Sequence, residues 1–506
     1  MRRVAEAMGR RIASGAVLGG VNLGLAAVVT LVTTPLYLGA LKESGFGLNA
    51  TLVAVFAMLN LLSLGAQEAT LYFAARDLSE AYVRVLAKWH ATAAALGALI
   101  LGGGGFFGLG AWLGLKDTEL GQFQEALLPA ALLWAAQFFC QWLWILSRAR
   151  LRFTLQAGHQ ALMSVLVPLF AIAALRAVGG LNAFLWAQAL AWVLGCAILS
   201  PLLLRAPSGF KASGSEWGQV AAYSRWTFLF YAGFVALQSA DRFFVVPLGA
   251  AAVAAYAIAS SIFQRGVSAL GLLPSLLMPA ISRLSDDSEH DRALRAYGLS
   301  LRFSAILALA FFLPLAALGK EFLAAWLDAK SPGISGRAYG ALLLFCAAGF
   351  FAGMSAVVHA VLLGQGRARL VGLTALLGAA LGLLAAWLGV RRLGLEGAAL
   401  AALVGYGFLY VARVLISERM IFHRSLIQIA LEHALLLACA MAAFMGLRSL
   451  GAMALQGGGI VFQLAGLALS ALALLALGLL ADAWLAKRKG RLSVVGTLLG
   501  ILKLGR

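Results

Sequence analysis

The chain is 506 residues long, 62% hydrophobic and only 12% charged, with a mean hydropathy of +0.92. A soluble protein of this length carries about twice that charged fraction, so composition excludes that class. The formal net charge of +19 is spread over many short segments, which suits membrane topology and anionic lipid and speaks against nucleic-acid binding.

Apolar runs long enough to cross about 30 Å of hydrocarbon as helices recur from end to end. In order they are Ala13–Leu41, Phe46–Ala66, Ala91–Leu113, Ala126–Leu146, Phe153–Leu175, Leu181–Leu204, Phe228–Leu248, Ala252–Leu277, Leu299–Leu318, Tyr339–Leu363, Leu370–Val390, Gly397–Ile416, Ile427–Leu447 and Ile460–Leu480. The fold class expected is therefore an all-α polytopic membrane protein with about 14 transmembrane helices. The basic N-terminus MRRVAEAMGRR leads into a long apolar run without a small-residue cleavage site, and reads as a retained first helix. At the other end, the basic and apolar segment Lys487–Arg506 reads as an interfacial helix.

With the N-terminus inside, Arg76, Arg84, Lys88, Arg148, Arg150, Arg152, Arg205, Lys211, Arg283, Arg367, Arg369 and Arg419 all fall on inner loops. Roughly 25 basic residues then lie inside against about 10 outside, which the positive-inside rule converts into cytoplasmic termini. Cys140, Cys196, Cys346 and Cys439 sit inside apolar runs without metal-ligand or disulfide spacing, so packing is their expected role. No GxxxxGK[ST] loop, HExxH or paired-carboxylate motif occurs, and no loop is long enough for a catalytic domain. The expectation is a protein that is not an enzyme and takes no cofactor or metal.

An internal repeat sets the expected architecture. Thr34-Pro35-Leu36 returns as Val246-Pro247-Leu248, Arg148-Ala149-Arg150 as Arg367-Ala368-Arg369, and Gly180-Leu181-Asn182-Ala183 as Gly394-Leu395-Glu396-Gly397. The matches keep their order and share an offset of about 210 to 220 residues, which predicts two six-helix lobes of the same orientation that rock about a central cavity. The lobes would be residues 1–210 and 211–424, with 425–506 holding two extra helices and the tail.

Three stretches carry a family resemblance. Asp241-Arg242-Phe243-Phe244, through Tyr256 to Leu277-Met278-Pro279-Ala280-Ile281-Ser282-Arg283, resembles the seventh-to-eighth helix signature of polysaccharide flippases. Leu64-Gly65-Ala66-Gln67-Glu68-Ala69-Thr70 with Phe73-Ala74-Ala75-Arg76 resembles the end of their second helix, and Gly366–Arg369 and Gly394–Ala399 resemble later helices. These flippases belong to the multidrug/oligosaccharidyl-lipid/polysaccharide exporter superfamily. The resemblance implies a V-shaped fold in a bacterial inner membrane that carries undecaprenyl-diphosphate-linked sugars of O-antigen or exopolysaccharide type to the periplasmic leaflet. It also implies H+ or Na+ as a coupling ion and glycan polymerase or glycosyltransferase machinery as partners. Lipid II flippases share the fourteen-helix plan, in which the added pair forms a groove for the lipid tail. They cluster arginines in the first two helices, however, and this chain has none in Val17–Leu41 or Phe46–Ala66.

Charged and polar residues within apolar runs supply the candidate site. Arg265 is central in Ala252–Leu277, and its guanidinium fork matches phosphate oxygens; a salt bridge to Asp241 is the competing structural role. Asp241 and Arg242 either gate the outer mouth or pair with each other. Arg225 and Arg302 stand near cytoplasmic span ends, where snorkelling competes with recruiting the diphosphate. Glu68 is the deep carboxylate of the first lobe, a candidate for ion coupling or for an inner-gate salt bridge. Gln137 and Gln141 share a helix face and, with Gln188, Asn22 and Asn60, offer sugar hydroxyl partners or simple interhelical glue. His359 reads as a packed residue, while Glu432 and His433 lie close to a membrane end. The alternatives to a glycan flippase are a lipid II flippase and a cation-coupled multidrug exporter; the exporter calls for acidic cavity residues, which are scarce here.

Overall fold

The computed structural model describes residues 2–76, 80–115, 117–204, 214–283, 290–364, 367–420, 444–448 and 459–488. Every regular element among the described residues is helical. Hydrocarbon imposes this, because a helix satisfies its own backbone N–H and C=O groups without water. Eleven stretches among the described residues are long and apolar enough to cross a membrane. The first, Leu18–Ser63, takes in most of two expected runs, Ala13–Leu41 and Phe46–Ala66. The expected run Ala252–Leu277 falls within the helix Ala250–Arg283. Ile427–Leu447 lies outside the described residues but for its last turn, as does the tail from residue 489. By packing, the chain divides into two compact units, Met1–Ala257 and Ile258–Arg506.

The first unit opens with α1 (Arg2–Leu59), which breaks at Lys42 (φ 59, ψ 176). The apolar run ends one residue earlier, and Lys42-Glu43-Ser44-Gly45 is the polar link between two membrane helices. Then come α2 (Ala66–Arg76), α3 (Glu80–Gly102), the short α4 (Leu109–Trp112), α5 (Asp117–Ala149), α6 (Phe153–Ala177), α7 (Gly180–Leu203), α8 (Gly214–Val235), the single turn α9 (Arg242–Val245) and the first turns of α10 (Ala250–Arg283), whose residues from Ile258 onward belong to the second unit.

Small residues and indole donors knit these helices, as packing in lipid requires. Trp134 of α5 fits the notch at Gly97, where a Cβ would come within 2.1 Å of its ring. Its Nε1 donates to the Phe56 carbonyl (3.2 Å) and to Asn60 Oδ1 (3.1 Å). Trp142 stacks on His90 and donates to Thr70 Oγ1 at 3.1 Å. Gly47 touches the start of α10 so closely that a Cβ would stand 1.8 Å from the Ala250 carbonyl oxygen. Glu119 Oε1 accepts the Ala250 amide at 3.1 Å, a carboxylate at a helix N-terminus.

The second unit continues with α11 (His290–Leu323), α12 (Ile334–Gly364), α13 (Ala368–Leu393), α14 (Leu395–Met420) and α15 (Ile460–Arg488). Phe263 stacks on Phe345 and meets Tyr406 edge-on. Helices α13 and α14 cross backbone to backbone, a Cβ at Gly397 falling 2.2 Å from the carbonyl carbon of Gly389.

Helix ends reveal the repeat more sharply than the short sequence matches do. Ala149 and Gly364 close α5 and α12, Phe153 and Ala368 open α6 and α13, and Gly180 and Leu395 open α7 and α14. Each pair is separated by about 215 residues, as tandem copies of one three-helix unit would be. The counterpart of Arg367 is therefore Arg152, the residue before α6, and not Arg148 as the sequence match suggested.

Candidate functional site

In the first unit the seventh span is interrupted. A π-helical turn, Ala236–Ala240, separates α8 from α9 and sets Asp241 at the break. Such turns shift the helix register and are frequent at functional sites. Asp241 is only 2% exposed and Arg242 is buried beside it. The Tyr256 hydroxyl, on the first turns of α10, donates to Asp241 Oδ2. A carboxylate, a guanidinium and a phenol thus form one polar cluster within apolar packing. Such a cluster can hold a proton or a small cation, or fix the span, because a buried carboxylate persists only with partners.

The other candidates in this unit lie apart from one another in role. Gln137 and Gln141 are half-buried on one face of α5, as their four-residue spacing requires. Gln188 is also half-buried. Asn60 is engaged by Trp134, and Asn22 Nδ2 donates to the Ala157 carbonyl at 3.0 Å, so both tie helices together. Arg225 is exposed on α8. Glu68 is placed in α2, and its side chain lies outside the described residues.

In the second unit, Arg265 is half-buried on α10, between the buried residues Phe263 and Gly266. Arg302 of α11 pairs with Asp482 of α15 at 2.6 Å, the arginine side chain 41% exposed and the aspartate buried. Its Nε also donates to the Gly298 carbonyl at 3.3 Å. The pair joins the last described span to α11, beside a close approach of Gly478 to Ile306. His359 is half-buried on α12.

One charged residue escaped the sequence reading. Arg413 of α14 is 4% exposed, within the span Leu395–Ser417. Nη1 donates to Ser355 Oγ of α12 (3.0 Å), Nε to Thr374 Oγ1 of α13 (3.3 Å), and Nη2 reaches the Val371 carbonyl at 3.5 Å. These acceptors are all neutral. Three helices therefore share one guanidinium. The available signal was an arginine near the end of an apolar run, which looks the same as a snorkelling residue.

Three comparisons bear on the family. No protein-family model matches the sequence, and no curated protein matches it. Solved structures do match in fold. Lipid II flippase MurJ, in an inward closed conformation, aligns with a TM-score of 0.71 at 11% identity, over 94% of this chain and 100% of that one. An inward-facing multidrug resistance MATE family transporter of the MOP superfamily aligns at 0.61 with 15% identity, over 80% of this chain and 98% of its own. A mutant of the Vibrio cholerae MATE transporter VcmN gives 0.60 at 15% identity, with coverage of 83% and 98%. The chain therefore has the helical fold that MurJ and the MATE transporters share.

Proposed function

We propose that this protein is a flippase that moves an undecaprenyl-diphosphate-linked oligosaccharide from the cytoplasmic to the periplasmic leaflet of a bacterial inner membrane by alternating access. The observation that most supports a lipid-borne cargo is the extent of the fold likeness. The match to a lipid II flippase takes in 94% of the chain, whereas the two MATE matches take in 80% and 83%. In this reading the six-span lobes, residues 1–210 and 211–424, rock against each other. Arg265 contacts the diphosphate, assisted by Arg225, because a guanidinium fork fits phosphate oxygens. Gln137 and Gln141 contact sugar hydroxyls. Asp241, with Tyr256 and Arg242, is the coupling site for H+ or Na+, and Glu68 the second candidate.

Lipid II itself is the second reading, favoured by the name of the MurJ match. A MATE-type drug exporter draws on the same fold and differs in cargo charge. The test is a lipid extract from cells lacking the protein, analysed by mass spectrometry and complemented with wild type or Arg265→Ala. Accumulation of a complete undecaprenyl-diphosphate repeat unit, cured by wild type and not by the expressed variant, is the expected result. Accumulation of lipid II moves the assignment to the second reading. Hypersensitivity to cationic drugs with no lipid accumulation overturns both.

A further inference from the structure

The link between α5 and α6 is Arg150-Leu151-Arg152, at one edge of the membrane-spanning region and beside the end of α7. Leu151 adopts a left-handed conformation, φ 54, which turns the chain sharply. Both arginines reach to α7. Arg150 Nη1 donates to the Leu203 carbonyl at 2.7 Å and Arg152 Nη1 to the Leu202 carbonyl at 3.1 Å. Those carbonyls belong to the last turn of a helix, where no intrahelical donor remains for them. The bonds hold the two guanidiniums at the rim of a cleft of about 640 Å³. Thr154 adds a hydroxyl to its wall, and Phe153, Leu155 and Leu202 add apolar surface.

Three features give this cleft a ligand class. First, Arg152 is exposed, and the one hydrogen bond its side chain makes among the described residues is that to the Leu202 carbonyl. The rest of its N–H donors stay open to an oxygen-rich anion. Second, no aspartate or glutamate occurs between Glu125 and Glu216, while Arg148, Arg150, Arg152, Arg176, Arg205 and Lys211 do. No acidic residue of α6, of α7 or of the link itself neutralises the site. Third, the wall is part cationic and part apolar and lies where spans Thr118–Ala149 and Phe153–Ala177 meet. That depth is where a lipid passes from headgroup to acyl chain.

We propose that this cleft binds the phosphate headgroup of an anionic phospholipid, Arg150 and Arg152 holding the phosphate oxygens and Phe153, Leu155 and Leu202 the first methylenes. Guanidiniums bind phosphate through paired, charge-assisted hydrogen bonds, and basic pockets beside spans recognise anionic lipid. The site is independent of the transported cargo and does not rest on the transport reading.

Native mass spectrometry of the purified full chain tests it, with phosphatidylglycerol, phosphatidylcholine or inorganic phosphate added. Wild type is expected to retain a phosphatidylglycerol adduct. Arg152→Gln lowers its occupancy several-fold, and Arg152→Lys restores part of it. Arg391→Gln, which removes an exposed arginine stacked on Trp387, leaves it unchanged. The double variant Arg150→Gln/Arg152→Gln abolishes it. Equal adducts in wild type and the double variant overturn the proposal, as does equal retention of phosphatidylcholine. Displacement by millimolar inorganic phosphate also overturns it, because the site would then belong to a soluble anion.

Discussion

Replacing Arg413 by methionine separates a residue kept for stability from one kept for function. Stripping water from a guanidinium costs several kcal/mol even after relaxation. Against that stand one hydrogen bond of ordinary length, to Ser355 at 3.0 Å, and two long ones, to Thr374 at 3.3 Å and Val371 at 3.5 Å. A charge-assisted bond returns about 1.5–3 kcal/mol and the long ones less, so gain and cost nearly cancel. Arg413→Met is therefore expected to change stability by no more than about 1 kcal/mol, in either direction. Ser355→Ala behaves differently. It removes the best acceptor and leaves the charge buried, at a cost of about 2 kcal/mol. Thr374→Val falls between the two, because its bond to the guanidinium is longer. The assay is size-exclusion chromatography of detergent-purified protein after stepwise heating. The expected order of midpoints is Arg413→Met close to wild type, then Thr374→Val, then Ser355→Ala. A midpoint for Arg413→Met well below that of Ser355→Ala would refute this reasoning, since it would mean that the guanidinium gains far more than three neutral oxygens can give.

Other perturbations test the remaining contacts. Gly397→Ala drives a methyl into the Gly389 backbone and is expected to destabilise by about 1–3 kcal/mol, read as a lower unfolding midpoint. Arg302 is partly exposed, so its pair with Asp482 is worth about 1 kcal/mol after screening. Asp482→Arg is expected to lower the midpoint and the exchange Arg302→Asp/Asp482→Arg to recover most of it; no recovery argues against a direct pair. Tyr256→Phe takes a hydroxyl from the buried Asp241 and should destabilise by about 1–3 kcal/mol. If Asp241 is the coupling site, the same variant shifts the proton or sodium dependence of transport, whereas a structural role alone leaves that dependence unchanged.

The sequence is most legible where hydrocarbon dictates the answer. A run of about 20 apolar residues has one stable form in a bilayer, so most of the spans were readable, although ends such as those of Tyr82–Gly105 and Tyr297–Asp328 lie well away from the expected Ala91–Leu113 and Leu299–Leu318. The break after Leu41 was readable as well, because Lys42-Glu43-Ser44-Gly45 cannot remain in lipid. What stayed hidden depends on which faces meet. Asn22 and Asn60 could have faced sugars, and the structure turns them to Ala157 and Trp134. Arg302 was a candidate phosphate contact, and its partner Asp482 stands 180 residues away, beyond any periodicity argument. Arg152 and Arg413 show the same limit from opposite sides. Each is an arginine near a span end, and position along the chain does not tell a side chain packed between helices from one left at the surface. Folding brings the chain's own oxygens to Arg413 from two neighbouring helices and closes it off. Arg152 it leaves exposed, tied by one carbonyl at the rim of a cleft. A buried cation satisfied by neutral groups can hold helices together but has no room for a ligand. An exposed one, held in place beside apolar surface, has both the room and the geometry. The distinction that separates structural from binding arginines in this protein is thus made by tertiary packing, and it is the one that the Arg413→Met and Arg152→Gln experiments read out.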